Sequence, residues 1–129
     1  MSGSVLIVDD EKGQREILTM ILQGVGYDTA EASGVQEALA LLGKREFDLI
    51  LTDLKMQGQS GLDLLEQVMA DDPQQCVIMM TAHGTVDSAV GAMKRGAFDY
   101  LEKPLERENL LLTLKRAFER ITLVRENRV

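Results

Sequence analysis

Five short runs of strand length punctuate the chain, and between them the apolar residues switch to helical spacing. The runs are SVLIV at 4–8, YDTAEA at 27–32, FDLILT at 47–52, CVIMMT at 76–81 and FDYLE at 98–102. The segments between and after them place apolar residues three and four apart: Ile17, Leu18, Ile21, Leu22 and Val25; Val35, Ala38, Leu39 and Leu42; Leu62, Leu65, Val68 and Met69; Val86, Ala89, Val90 and Met93; and Leu110, Leu111, Leu114, Ala117, Phe118 and Ile121. Gly24, Gly26, Gly43 and Gly96 stand where helices should stop. A strand–helix alternation repeated five times predicts an α/β domain, a doubly wound (βα)5 unit with a five-stranded parallel sheet and helices on both faces. The first, third and fourth runs are almost wholly apolar, as interior strands covered on both faces should be, whereas the second and fifth alternate with polar residues and belong at the edges. The order 2-1-3-4-5 follows, with its topological switch point between strands one and three.

Composition changes this picture in one direction, by exclusion. At 129 residues, 45% of them hydrophobic, the chain has room for one well-buried domain and too few residues for two ordinary ones. A net charge of -7 argues against general affinity for nucleic acid or anionic membrane, both polyanions that need a basic face. No apolar stretch approaches the roughly 20 residues of a membrane span. The lone Cys76, inside an apolar run, has no disulfide partner, so a reducing, cytoplasmic setting is expected.

Ligands of open α/β sheets bind outside the carboxyl ends of strands near the switch point, and here those ends form a coherent set. Strand one runs into Asp9, Asp10 and Glu11, strand three ends at Asp53, strand four at Thr81 and strand five at Lys103 with Pro104 after it. Strand two ends in Glu31, Ala32 and Ser33 and, as an edge strand, suggests no role. Three crowded carboxylates repel one another, and a hard divalent cation with oxygen ligands would relieve them; Mg²⁺ suits because it accepts a few carboxylates and keeps waters and phosphate oxygens as its other ligands. Asp53 can then act as a carboxylate nucleophile toward phosphorus, with Mg²⁺ and the Lys103 ammonium neutralising the charge on the phosphoryl oxygens and the Thr81 hydroxyl donating to one of them. A flavodoxin would need a Ser/Thr/Gly-rich phosphate loop where DDEKGQ stands, a haloacid-dehalogenase-type phosphatase would carry a DxD pattern after strand one, and a P-loop NTPase would carry GxxxxGK[ST]; none is present.

At these residues the sequence resembles a known family. VLIVDDE, LILTDLKMQGQSGLDLL, MMTAHG and AFDYLEKP are similar to the blocks of response-regulator receiver domains of bacterial two-component signalling, over residues 4 to about 118. The resemblance implies a flavodoxin-like receiver fold and a signalling switch, not an enzyme that turns over a separate substrate. It makes Asp53 the phosphoacceptor, with Asp10, Asp53 and the backbone carbonyl of Lys55 as direct metal ligands and Asp9 engaging the ion mainly through water. Thr81 and Lys103 would bind the phosphoryl group, Tyr100 would be the switch aromatic, turning inward from an outward rotamer, and the bond before Pro104 would be cis. His83 and Lys55 would at most tune hydrolysis of the acyl phosphate. One departure is visible: members often carry Pro four residues after the phosphoacceptor, where this chain has Gln57, so a looser loop around an intact site is expected.

A finer resemblance, in TAHGTVDSAVGAMKRGAFDYLEKP and the ending LVRENRV, is to the N-terminal receivers of NtrC-type transcription activators, which an AAA+ ATPase and a DNA-binding domain follow. It implies a sensor histidine kinase and the protein's own output domain as partners. A free-standing receiver of chemotaxis or phosphorelay type is the alternative. The expected domain is 1–117, with 118–129 extending the last helix into a linker. A helix over 107–128 would be about 33 Å long and would overhang a strand of ordinary length. Leu110, Leu114, Ala117, Ile121 and Val124, at alternating spacings of four and three, are then the expected seam of a homodimer. Met79 and Met80, together with Met20, Met69 and Met93, are expected in the core.

Overall fold

Ten elements alternate along the chain: β1 (Ser4–Val8), α1 (Lys12–Gly24), β2 (Asp28–Ala32), α2 (Val35–Leu42), β3 (Leu49–Asp53), α3 (Gly61–Asp71), β4 (Cys76–Thr81), α4 (Val86–Lys94), β5 (Asp99–Glu102) and α5 (Arg107–Glu126). This architecture comes from a computed structural model that describes residues 3–82 and 86–127. All five strands are parallel in the order β2-β1-β3-β4-β5, the arrangement that the polarity of the strands predicts. Every residue of β3 and β4 is buried, whereas β2 and β5 expose one edge of their pattern. No helix among the described residues is long and apolar enough to cross a membrane.

Because successive strand side chains point to opposite faces, the sheet divides the interior into two layers. Val5, Ile7, Leu49, Leu51, Ile78 and Met80 meet Leu18 and Leu22 of α1 and Leu110 and Leu114 of α5. Leu6, Val8, Ile50, Val77 and Met79 face the other way, onto α2, α3 and Ala92 of α4. The register aligns Val8 with Thr52, Asp53 with Met80 and Thr81 with Glu102, so the polar strand ends come level at one edge. Gly96 follows α4 with φ +108°, a conformation that favours glycine, and Met69 Sδ would have to shift to admit a Cβ there.

The helical stripes read from sequence are wider than the faces actually covered. Met79 and Met80 are fully buried and Met69 packs against the second layer, but Met20 and Met93 are exposed, as are Ile17, Val86 and Val90. Met20 lies two residues from both Leu18 and Leu22, about 200° round the helix, and so points away from the sheet they face.

Most of the expected dimer seam on α5 faces the domain's own sheet. Leu110, Leu114, Ala117 and Ile121 are buried in the domain's own first layer, and Ile121 and Val124 line a concavity of about 580 Å³ between the ends of α2, α3 and α5. The four–three spacing marks the helix face turned to its own sheet, which the same periodicity would produce in any core helix. Past residue 117, Phe118 stacks on Tyr27 with ring centroids 5.0 Å apart, and the Arg125 guanidinium pairs with Asp48 at the start of β3; Arg128 lies outside the described residues.

Asp48 joins three parts of the chain, since it also accepts from the Ser4 main-chain N–H at 2.8 Å. Burial alone would raise its pKa, but Arg125 and Ser4 outweigh burial and hold it below the ordinary value of 3.8. A depressed carboxyl stabilises the fold above that ordinary value and loses the contribution as the pH falls through the lower folded value. Asp48→Asn is therefore expected to cost about 1 kcal/mol at pH 7. In urea unfolding at a series of pH values the deficit should close in acid; a deficit independent of pH would refute the ion-pair account.

Candidate functional site

The carboxyl end of β1 turns sharply into α1, and the turn is built from the Asp9 main chain outward. Its N–H donates to Ala32 O at 3.1 Å, and its carbonyl accepts from Arg15 Nη1 at 2.7 Å. Arg15 is in turn held by Glu31 at 3.2 Å, and Glu31 accepts from Thr19 at 3.0 Å. The edge strand, which suggested no role, thus fixes the acidic turn through Arg15. The polar alternation of 27–32 marked Glu31 as polar and carried no signal of its partner.

Asp9 and Asp53 sit side by side, both buried, with exposures of 0% and 7%. Lys103 Nζ bridges them, donating to Asp9 Oδ2 at 2.9 Å and to Asp53 Oδ2 at 3.2 Å. Its position follows from the sheet: the Lys103 N–H donates to Thr81 O at 2.7 Å, and the following bond to Pro104 is cis. Asp9 Oδ1 accepts from the Glu11 N–H at 2.9 Å, and the Lys55 N–H donates to Asp53. Asp10 is the exposed member, its Oδ2 accepting from the Gln57 N–H at 3.1 Å. Asp9, Asp10 and Asp53 each bring an oxygen within 4.8 Å of the others.

Burial raises the Asp53 carboxyl above its ordinary pKa, with Asp9 adding to the rise and Lys103 and the Lys55 N–H opposing it. For Lys103, burial works to lower the ammonium, yet the hydrogen bonds and charges of Asp9 and Asp53 prevail and its pKa is raised. Lys103 therefore stays charged throughout the physiological range. Three carboxylates against one ammonium leave two negative charges uncompensated, the charge of one divalent cation. All the donors are hard carboxylate oxygens with room for water on the Asp10 side, so the cluster fits Mg²⁺.

The other expected residues fall around this centre. Thr81 is 1% exposed at the end of β4, beside β3. Tyr100, on β5, is half-buried, and its hydroxyl lies 3.3 Å from Ser88 Oγ of α4. Lys55 has an exposed side chain in the loop after β3. His83 lies outside the described residues. The 580 Å³ concavity is at the opposite end of the sheet and contains none of the residues around Asp53.

Gly61 sets how closely α3 approaches the site. Its N–H donates to Leu54 O at 2.8 Å, and a Cβ there would collide with the Asp53 carbonyl oxygen and approach Met79 Sδ to 3.0 Å. Main chain cannot yield as a flexible side chain would. Gly61→Ala is expected to destabilise by about 2 kcal/mol and to displace Asp53. Urea unfolding of the variant checks this, and unchanged stability would mean that the start of α3 can back away.

Comparison with known proteins agrees with this geometry. The sequence profile of the family described as "Response regulator receiver domain" matches residues 5–115. The response regulator protein PilR of Pseudomonas aeruginosa is 46% identical over 101 residues, covering 78% of this chain and 23% of its own length. The nitrogen assimilation regulatory protein NtrX of Azorhizobium caulinodans is 38% identical, over 99% of this chain and 29% of its own. Among solved structures, NtrX from Brucella abortus superposes with a TM-score of 0.92 at 37% identity, over 98% of this chain and 29% of that one. A response regulator receiver domain protein from Clostridium thermocellum gives 0.90 at 33% identity, over 95% and 98% of the two chains. The chain spans about a quarter of the length of the curated relatives it matches.

Proposed function

This chain belongs to the response regulator receiver domain family, and from that premise we infer that it is a phosphorylation-activated switch with Asp53 as its phosphoacceptor. The observation that carries the reading is the Lys103 ammonium bridging two buried carboxylates next to a third. Asp53 is the carboxylate flanked by groups suited to phosphoryl oxygens, with Lys103 on one side and Thr81 on the neighbouring strand end. The phosphoryl donor is a phosphohistidine of a sensor kinase. An Asp53 oxygen attacks phosphorus, the P–N bond breaks as the P–O bond forms, and the imidazole leaves with the electron pair and is reprotonated from solvent. Asp10, Asp53 and the Lys55 carbonyl would hold Mg²⁺ directly and Asp9 would hold it through water; when bound, the ion neutralises charge on the transferring group.

The rest of the switch rests on the same residues. A phosphoryl group on Asp53 brings new acceptor oxygens, which draw the Thr81 hydroxyl toward them. Tyr100, whose hydroxyl is linked to α4 through Ser88, then turns into the space that Thr81 leaves, so the face made by α4, β5 and α5 carries the signal. The likeness to PilR and NtrX over a quarter of their length supports a receiver joined to an output domain, of the AAA+ transcription-activator kind. Incubation with acetyl phosphate and Mg²⁺ tests the reading: one phosphoryl group, a gain of about 80 Da, should appear in the intact mass. No gain would overturn it.

A further inference from the structure

Gln57 occupies the position where the resemblance expects proline, and its main chain makes a bond that proline could not. The Gln57 N–H donates to Asp10 Oδ2 at 3.1 Å, joining positions 47 apart in sequence; proline has no N–H to give. Asp10 is the exposed carboxylate of the three, and it faces two buried negative charges. Their repulsion favours turning its side chain out to water. The Gln57 N–H opposes that turn. The loop presenting it is held on its far side, where Gln36 Nε2 of α2 donates to Gln59 Oε1 at 2.7 Å and Ser60 and Asp63 close a reciprocal cap on α3.

We infer that Gln57 is a positioning residue for the divalent cation: its N–H holds Asp10 Oδ2 so that Oδ1 is presented to the ion. The inference rests on the reading of Asp10 as a Mg²⁺ ligand. Mg²⁺ is held at protein sites by one or two carboxylates with several waters retained, and one oxygen of Asp10 is sufficient for that contact. The other oxygen keeps its hydrogen bond, and such outer bonds orient a ligating group and sustain its affinity. The departure at Gln57 thus replaces a rigid ring with a donor, and the loop is fixed by the bond it makes.

Mg²⁺ titration followed by amide NMR tests this on the unmodified chain, Gln57→Pro and Gln57→Ala. Gln57→Pro should bind Mg²⁺ about tenfold more weakly, whereas Gln57→Ala, which keeps the N–H, should bind as the unmodified chain does. In the unmodified chain the Gln57 amide should remain protected from hydrogen exchange when Mg²⁺ is bound. Unchanged or tighter binding by Gln57→Pro would overturn the inference, as would an amide that opens to exchange on adding Mg²⁺, since the donor would then be competing with the ion. Thermal unfolding shows whether the proline variant folds, and if it does not, the exchange measurement decides. A chain that binds no Mg²⁺ at all would refute the reading of Asp10 as a ligand and the inference with it.

Discussion

Asp53→Asn should abolish phosphoryl uptake from acetyl phosphate and leave the fold intact. The amide nearly matches the carboxylate in shape but has no anionic oxygen to attack phosphorus, so the loss should be complete rather than partial. Stability should not fall with it. Burial raises the Asp53 carboxyl above its ordinary pKa despite Lys103. A carboxyl raised in this way makes the fold more stable as the pH drops through the folded value, because the charged form is the one disfavoured. The neutral amide resembles the protonated state, and Lys103 keeps Asp9 as its partner. The variant is therefore expected to melt no lower than the unmodified chain at pH 7. Intact mass before and after incubation gives the answer, and an undiminished gain of about 80 Da in the variant would place the acceptor elsewhere.

Removing the metal should silence the site nearly as thoroughly. Two negative charges already stand uncompensated around Asp53, and an incoming phosphoryl group carries about 1.5 to 2 more. Lys103 alone cannot offset this, since it is engaged with Asp9 and Asp53. With excess EDTA the rate of mass gain should fall on the order of 10²–10³-fold, the scale of losing one electrostatic stabiliser of a transition state. Adding back Mg²⁺ should restore it. A rate insensitive to chelation would mean that the three carboxylates serve some purpose other than holding an ion.

Much of this was legible in the sequence because Asp9, Asp53 and Thr81 end or directly follow apolar runs and Lys103 closes a recognisable edge strand. The polar alternation in 27–32 and 98–102 put β2 and β5 at the edges, and with the sheet order known, Asp9, Asp53, Thr81 and Lys103 had to converge. Helix faces were less legible. Periodicity gives the direction of a stripe and says nothing of how much of it a neighbour covers, so Met20, Met93 and Val90 were misplaced, and the α5 stripe did not reveal that Leu110, Leu114, Ala117 and Ile121 face the domain's own sheet. The bonds that shape the site were not legible at all. Arg15 to Asp9 O, Glu31 to Arg15 and Gln57 N–H to Asp10 join residues with no pattern between them, and they exist only once the strands are side by side.

The bridge that Lys103 makes between Asp9 and Asp53 bears on how well the domain withstands loss of the ion. Many small metal-dependent domains unfold when their ion is withdrawn, because the ligands then repel one another without relief. Here the two buried carboxylates share an internal counterion, and the third faces water. Scarcity of Mg²⁺ should therefore leave the chain as resistant to proteases as before while it cannot be phosphorylated. Supply of the ion would govern how much of the stock can signal, and turnover would govern the size of that stock, each independently of the other.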